Sequence, residues 1–148
     1  MEQPLPTDRP SPALSDGAAL PPLPLAGAAV AAGFPSPAED HVVERIDLMK
    51  QLIRHPQASF FVRVRGDSMT GAGILDGSVV LVDRAIKPQH GHIVVAVVDG
   101  EFTCKRLQQR GGRLRLKAEN PTYPDIVPSD AQTVEVWGVV VAAIHTFV

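Results

Sequence analysis

Apolar and polar residues alternate most regularly over residues 60–65, where Phe60, Val62 and Val64 interleave with Phe61, Arg63 and Arg65. A period of two predicts a strand with one buried face. Gly66 and Asp67 end it, because glycine accepts positive φ and aspartate bonds its own backbone in turns. A second signal runs from Ile93 to Leu107. Six apolar residues (93–98) meet Asp99-Gly100, a two-residue type I′ hairpin turn, and a return strand follows over 101–107. On that strand Thr103, Lys105 and Leu107 share one face, and Phe102, Cys104 and Arg106 the other. Residues 78–83, 113–117 and 133–141 read as further strands, with Gly138 marking a bulge. Val42, Val43, Ile46, Met49, Leu52 and Ile53 recur at helical spacing, so residues 40–54 are expected to form an amphipathic helix capped by Asp40 and closed by Pro56. The expected fold is mainly β: a compact strand-rich domain over 39–148 with one short helix.

Residues 1–38 break this pattern. They hold nine of the 14 prolines and only four charged side chains, and are expected to form a flexible arm without helix or regular strand. The small apolar run 25–32 superficially suits a secretory signal. Its acidic leader (Glu2, Asp8, Asp16) and the interruptions at Pro21, Pro22 and Pro24 argue against one, and the run is too short to span a membrane.

The chain of 148 residues suits one domain with a proper core. A net charge of −2 argues against a primary nucleic-acid binder. The single cysteine, Cys104, excludes an internal disulfide and fits a reducing, cytoplasmic setting. The five scattered histidines suggest no metal site or cofactor; His90 and His92 suit a solvated loop. The six basic residues from Lys105 to Lys117 offer two readings, DNA contact or a solvated strand face, and the second is expected. Arg65-Gly66-Asp67 spells an adhesion tripeptide, but three residues recur by chance.

Two residues carry candidate chemistry. Ser68 sits just past a rigid strand, where a nucleophile needs to be, but a bare hydroxyl requires a base. Lys105 lies between an apolar Leu107 and Thr103 on one strand face. From a reference pKa of about 10.4, deprotonating it at pH 7 costs about 4.6 kcal/mol, and burial lowers that cost. On chemistry alone the pairing is weak, since lysines in amphipathic hairpins are usually solvated.

Further blocks sharpen it. Ala32-Gly33-Phe34-Pro35-Ser36-Pro37-Ala38-Glu39-Asp40, Arg45-Ile46-Asp47-Leu48, His55-Pro56, Gly66-Asp67-Ser68-Met69 and the 99–107 hairpin occur together and in order. In this the chain, over roughly residues 30 to 144, resembles the UmuD proteins, self-cleaving subunits of error-prone DNA polymerase V within the LexA-like serine peptidases. The resemblance implies Ser68 as nucleophile, Lys105 as base and the Ala32–Gly33 bond as the cleavage site. Backbone N–H groups of Asp67 and Ser68 would stabilise the oxyanion. It also implies a homodimer, a UmuC-type DNA polymerase as partner, cleavage promoted by a RecA filament on single-stranded DNA, and a place in the SOS response. Ala32 departs from the cysteine frequent in UmuD proteins and matches LexA repressors; Cys104 stands where valine is expected. The 35 positions from Gly33 to Ser68 reach at most about 115 Å, enough for a bond in its own or a partner's chain. A LexA-type repressor would need a helix-turn-helix, which the proline-rich arm cannot hold. A signal peptidase would need an anchor. A polymerase-binding module with a relic dyad is the rival that only an assay separates.

Overall fold

The structure, a computed structural model, describes residues 20–27, 29–35 and 42–148. Contacts divide the chain into two compact units, Met1–Leu48 and Met49–Val148.

In the first unit, β1 (Leu23–Ala26) pairs antiparallel with β2 (Val42–Ile46), placing Leu23 opposite Ile46 and Leu25 opposite Glu44. Arg45 also donates to the Pro22 carbonyl at 3.2 Å. Two expectations are corrected here. Residues 42–46 are strand, and the helix shrinks to α1 (Leu48–Leu52). Val42, Val43 and Ile46 are β-branched, stiff in a helix and suited to a pleat, so an available partner strand decides their state. Leu48, Met49, Lys50, Gln51 and Leu52 are all strong helix formers, and Pro56 lies just beyond. Asp40, expected as the cap, lies outside the described residues. The second correction is that the proline-rich segment does hold a strand. A two-stranded ribbon leaves each strand an outer edge, where Pro24 loses nothing by lacking an N–H.

In the second unit, six antiparallel strands form one sheet in the order β3-β4-β8-β5-β6-β7. They are β3 (Ser59–Arg63), β4 (Val79–Asp83), β5 (Ile93–Val98), β6 (Glu101–Arg110), β7 (Arg113–Lys117) and β8 (Val134–Ile144). The β5–β6 turn is the expected one, with φ of 49° at Asp99 and 82° at Gly100. Asp99 holds the turn down through Oδ1, which accepts from the Thr133 N–H at 3.1 Å.

The sheet buries apolar residues on both faces. Met69, Ile74, Val80, Val82 and Val95 form one cluster, and Val94, Ala96, Leu107, Leu116 and Val139 the other. Neighbours along β5 (Val94, Val95) fall in different clusters, as a period of two demands. The bulge expected at Gly138 lies beside it: β5 steps from Gly138 to Val136 and leaves Trp137 unmatched. A side chain at Gly138 would collide with Val82. Strand β3 is an edge, so its apolar face is only partly covered. Val62 and Val64 pack on the first cluster, while Phe60 stays half exposed against Trp137, ring centroids 5.5 Å apart.

The turn leading into β3 is fastened through Asp83. This carboxylate is buried, bonded to His55 Nδ1 at 2.7 Å and to the Ala85 N–H at 2.8 Å. Among the described residues, no helix is long and apolar enough to cross a membrane.

Candidate active site

Ser68 follows β3 on a turn held from three sides. Gly66, at φ 90°, donates its N–H to Asp76 Oδ1 at 2.8 Å. Asn120 Nδ2 donates to the Asp67 carbonyl at 2.8 Å, and the Glu119 N–H to the Ser68 carbonyl at 2.8 Å. Met69, next in sequence, is 1% exposed within the first core cluster. Burying such a side chain is worth about 1.5–3 kcal/mol, which nails the turn to the sheet. Gly71 closes the arrangement: its N–H donates to the Glu119 carbonyl at 2.7 Å, and an added Cβ would lie 2.5 Å from that oxygen. Glu119 is itself paired with Arg106. The part played by residues 119–120 was not legible in the sequence, which reads as an irregular loop from Asn120 to Pro128.

Lys105 comes from β6, 37 residues away, and is 8% exposed. Its Nζ lies 2.9 Å from Ser68 Oγ, 3.0 Å from Thr103 Oγ1 and 3.1 Å from the Cys104 carbonyl. Among the described residues no carboxylate pairs with it. Burial therefore disfavours the ammonium and lowers the Lys105 pKa below its ordinary 10.5, against a smaller opposing effect of Cys104. The three oxygens can take the three N–H groups of an ammonium, and they also accommodate a neutral amine. Two N–H groups can point at Thr103 Oγ1 and the Cys104 carbonyl, leaving the lone pair for the Ser68 hydroxyl proton. Thr103 is the contributor that the sequence reading noted only as a face neighbour; its signal was the two-residue spacing. Cys104 packs in the core, and burial pushes its thiol up to about 11, leaving it unreactive near neutral pH.

An open cleft of about 310 Å³ runs past these groups, walled by Val62, Val64, Val95 and Phe102 with Ser68 and Lys105 at its lining. Among the described residues, the N–H groups of Asp67 and Ser68 donate to no protein acceptor. Ala32 and Gly33 belong to the other unit and are exposed, with open space where a Gly33 side chain would stand. His90 and His92 serve structure: each Nδ1 accepts a backbone N–H, from Gln109 at 3.0 Å and Gln89 at 3.1 Å. No group of three His, Cys, Asp or Glu among the described residues is placed to hold a metal.

A hydroxyl against a desolvated amine, on a turn fixed to a β sheet, is the equipment of a serine hydrolase with an amine base. Comparison with known proteins is more specific. Residues 24–141 match the Peptidase S24-like family. SamA of Salmonella typhimurium is 50% identical over 114 residues, 77% of this chain and 79% of that protein. ImpA of Escherichia coli is 44% identical over 115 residues, 77% of each chain. MucA of Escherichia coli is 42% identical over 113 residues, 75% of this chain and 76% of its own. The chain belongs to the Peptidase S24-like family and is a UmuD-like, self-cleaving serine peptidase.

Proposed function

We propose that Ser68 and Lys105 cut the chain's own Ala32–Gly33 bond, and that the shortened form serves a translesion DNA polymerase in the SOS response. The observation that carries this reading is the 2.9 Å contact between Ser68 Oγ and a buried Lys105 Nζ without a carboxylate partner. Neutral Lys105 takes the Ser68 proton as Oγ attacks the Ala32 carbonyl. The Asp67 and Ser68 N–H groups receive the oxyanion. Lys105 then returns the proton to the Gly33 nitrogen as the C–N bond breaks. Water, deprotonated by the same amine, hydrolyses the Ala32 ester and frees Ser68.

Residues 1–38 would act as the arm that presents the bond to the domain over 39–148. Small residues on both sides of the bond suit a shallow cleft. The UmuD-like relationship supports the wider setting: a cytoplasmic homodimer, a UmuC-type polymerase as partner and a RecA filament as promoter of cleavage. The test is incubation of purified full-length protein, with mass spectrometry for a fragment beginning at Gly33. Ser68→Ala should fold, at a cost of about 0.5 kcal/mol or less, and yield none. That fragment from Ser68→Ala would remove Ser68 as nucleophile, and unchanged cleavage of Gly33→Glu would move the bond elsewhere.

A further inference from the structure

The β6–β7 hairpin presents a face that self-cleavage does not use. Cross-strand partners are Arg106 with Lys117, Gln108 with Arg115, and Arg110 with Arg113. Alternation puts all six side chains on one face, while Leu107 and Leu116 pack the core from the other. Five of the six are cationic, in a chain whose net charge is −2. Arg106 is paired with Glu119, and Arg115 reaches Asp125 only at 3.7 Å. Arg110, Arg113 and Lys117 are exposed and, among the described residues, make no ion pair. Gln108, Arg110, Arg113 and Arg115 line a shallow hollow of about 270 Å³. β7 is the outermost strand of the sheet, its far edge bridged by Ile126 at Leu116, and the cationic face itself is exposed at Arg110, Arg113 and Lys117.

Like charges directly opposite on a sheet are destabilising, yet Arg110 faces Arg113 here. The turn between them, Gly111-Gly112 with φ of 57° and 76°, enforces that register. We propose that this face is a docking surface for the sugar–phosphate backbone of DNA. Same-face residues on a strand recur about every 6.7 Å, giving two short parallel rows of cations. Three arginines supply forked donors that match phosphate oxygens. The face has no apolar centre, which a protein partner would normally require. A contact made by three or four side chains is weak and non-specific, so it is compatible with the chain's overall negative charge.

The test is fluorescence anisotropy of the full-length protein across a salt series, with three probes: a short single-stranded oligonucleotide, the same sequence as a duplex, and poly-glutamate. Neutralising ~3–4 phosphates predicts a slope of log K against log salt of about −3 on duplex and somewhat shallower on single strands. The Arg110→Gln/Arg113→Gln double variant should lose about 1.8 of the duplex slope, and the corresponding lysine pair should retain it. An unchanged self-cleavage rate in the glutamine variant shows that its fold is intact, and the tighter DNA probe identifies the preferred form. Absent DNA binding at the lowest salt, or an unaltered slope in the glutamine variant, would overturn the proposal. Poly-glutamate bound as tightly as DNA would overturn it in favour of an acidic protein partner.

Discussion

Lys105 and Asp83 are both buried charges on this sheet, and their surroundings are opposite. Asp83, 2% exposed, should gain a proton on burial, yet its pKa falls below 3.8. Bonds from His55 and from the Ala85 N–H, with the His55 charge, outweigh the desolvation. Lys105, 8% exposed, touches only neutral oxygens, so desolvation prevails and its ammonium is destabilised. A satisfied buried charge fastens the fold. One that is hydrogen-bonded but has no counterion weakens the fold and remains available for chemistry.

The comparison breaks most decisively at Lys105→Arg. A guanidinium keeps the charge but does not release its proton, so self-cleavage should fall by a factor on the order of 10⁴ or more, the scale seen when one member of a catalytic unit is lost. Intact-mass measurement over hours would expose any surviving cleavage and sink the amine-base mechanism.

Next in size is the pH profile. If Lys105 is the base, only its neutral form is active, and unassisted cleavage should rise about tenfold per pH unit below its folded pKa. Because that pKa is lowered, the plateau should begin below pH 10.5. A rate indifferent to pH would remove Lys105 as base.

On the structural side, Asp83→Ala strips both anchored groups of their partner and should destabilise by about 3 kcal/mol in urea titration. His55→Ala, losing one bond from a half-exposed ring, should cost only about 1 kcal/mol. Asp83 stabilises the fold fully above its unfolded pKa of 3.8 and loses that contribution as pH falls through the lower folded value. His55→Ala should therefore also blunt the stability loss in that acid range. Equal stability of the variant and the parent at pH 6 would show that the pair does not fasten the turn.

The smallest effect has the opposite sign. Lys105 binds a proton less well folded than unfolded, so it lowers stability below its folded pKa, an effect that fades as pH rises to 10.5. Lys105→Met should raise the urea midpoint at pH 7 while abolishing cleavage. A lowered midpoint would mean that the amine is held favourably, contrary to the contrast with Asp83.

How much of this the sequence determined by itself follows from how local each signal is. Period-two alternation and Asp99-Gly100 are nearest-neighbour properties, so the β5–β6 hairpin, the strand entering the Ser68 turn and β7 were readable in advance. Residues 42–46 were not. Their apolar spacing fits a helix as well as a strand, and only a partner at Leu23–Ala26 selects the extended form. The same limit applies to the site. Ser68 and Lys105 could be suspected from residue type and from resemblance. Their 2.9 Å approach, the burial without a counterion, and the clamp of Glu119 and Asn120 on the Ser68 turn join segments 37 to 53 residues apart. Desolvation is a property of what surrounds a group in space, and no local pattern encodes it; the packed sheet decided that Lys105 lies desolvated against Ser68 and that Asp83 is anchored by His55 and the Ala85 N–H.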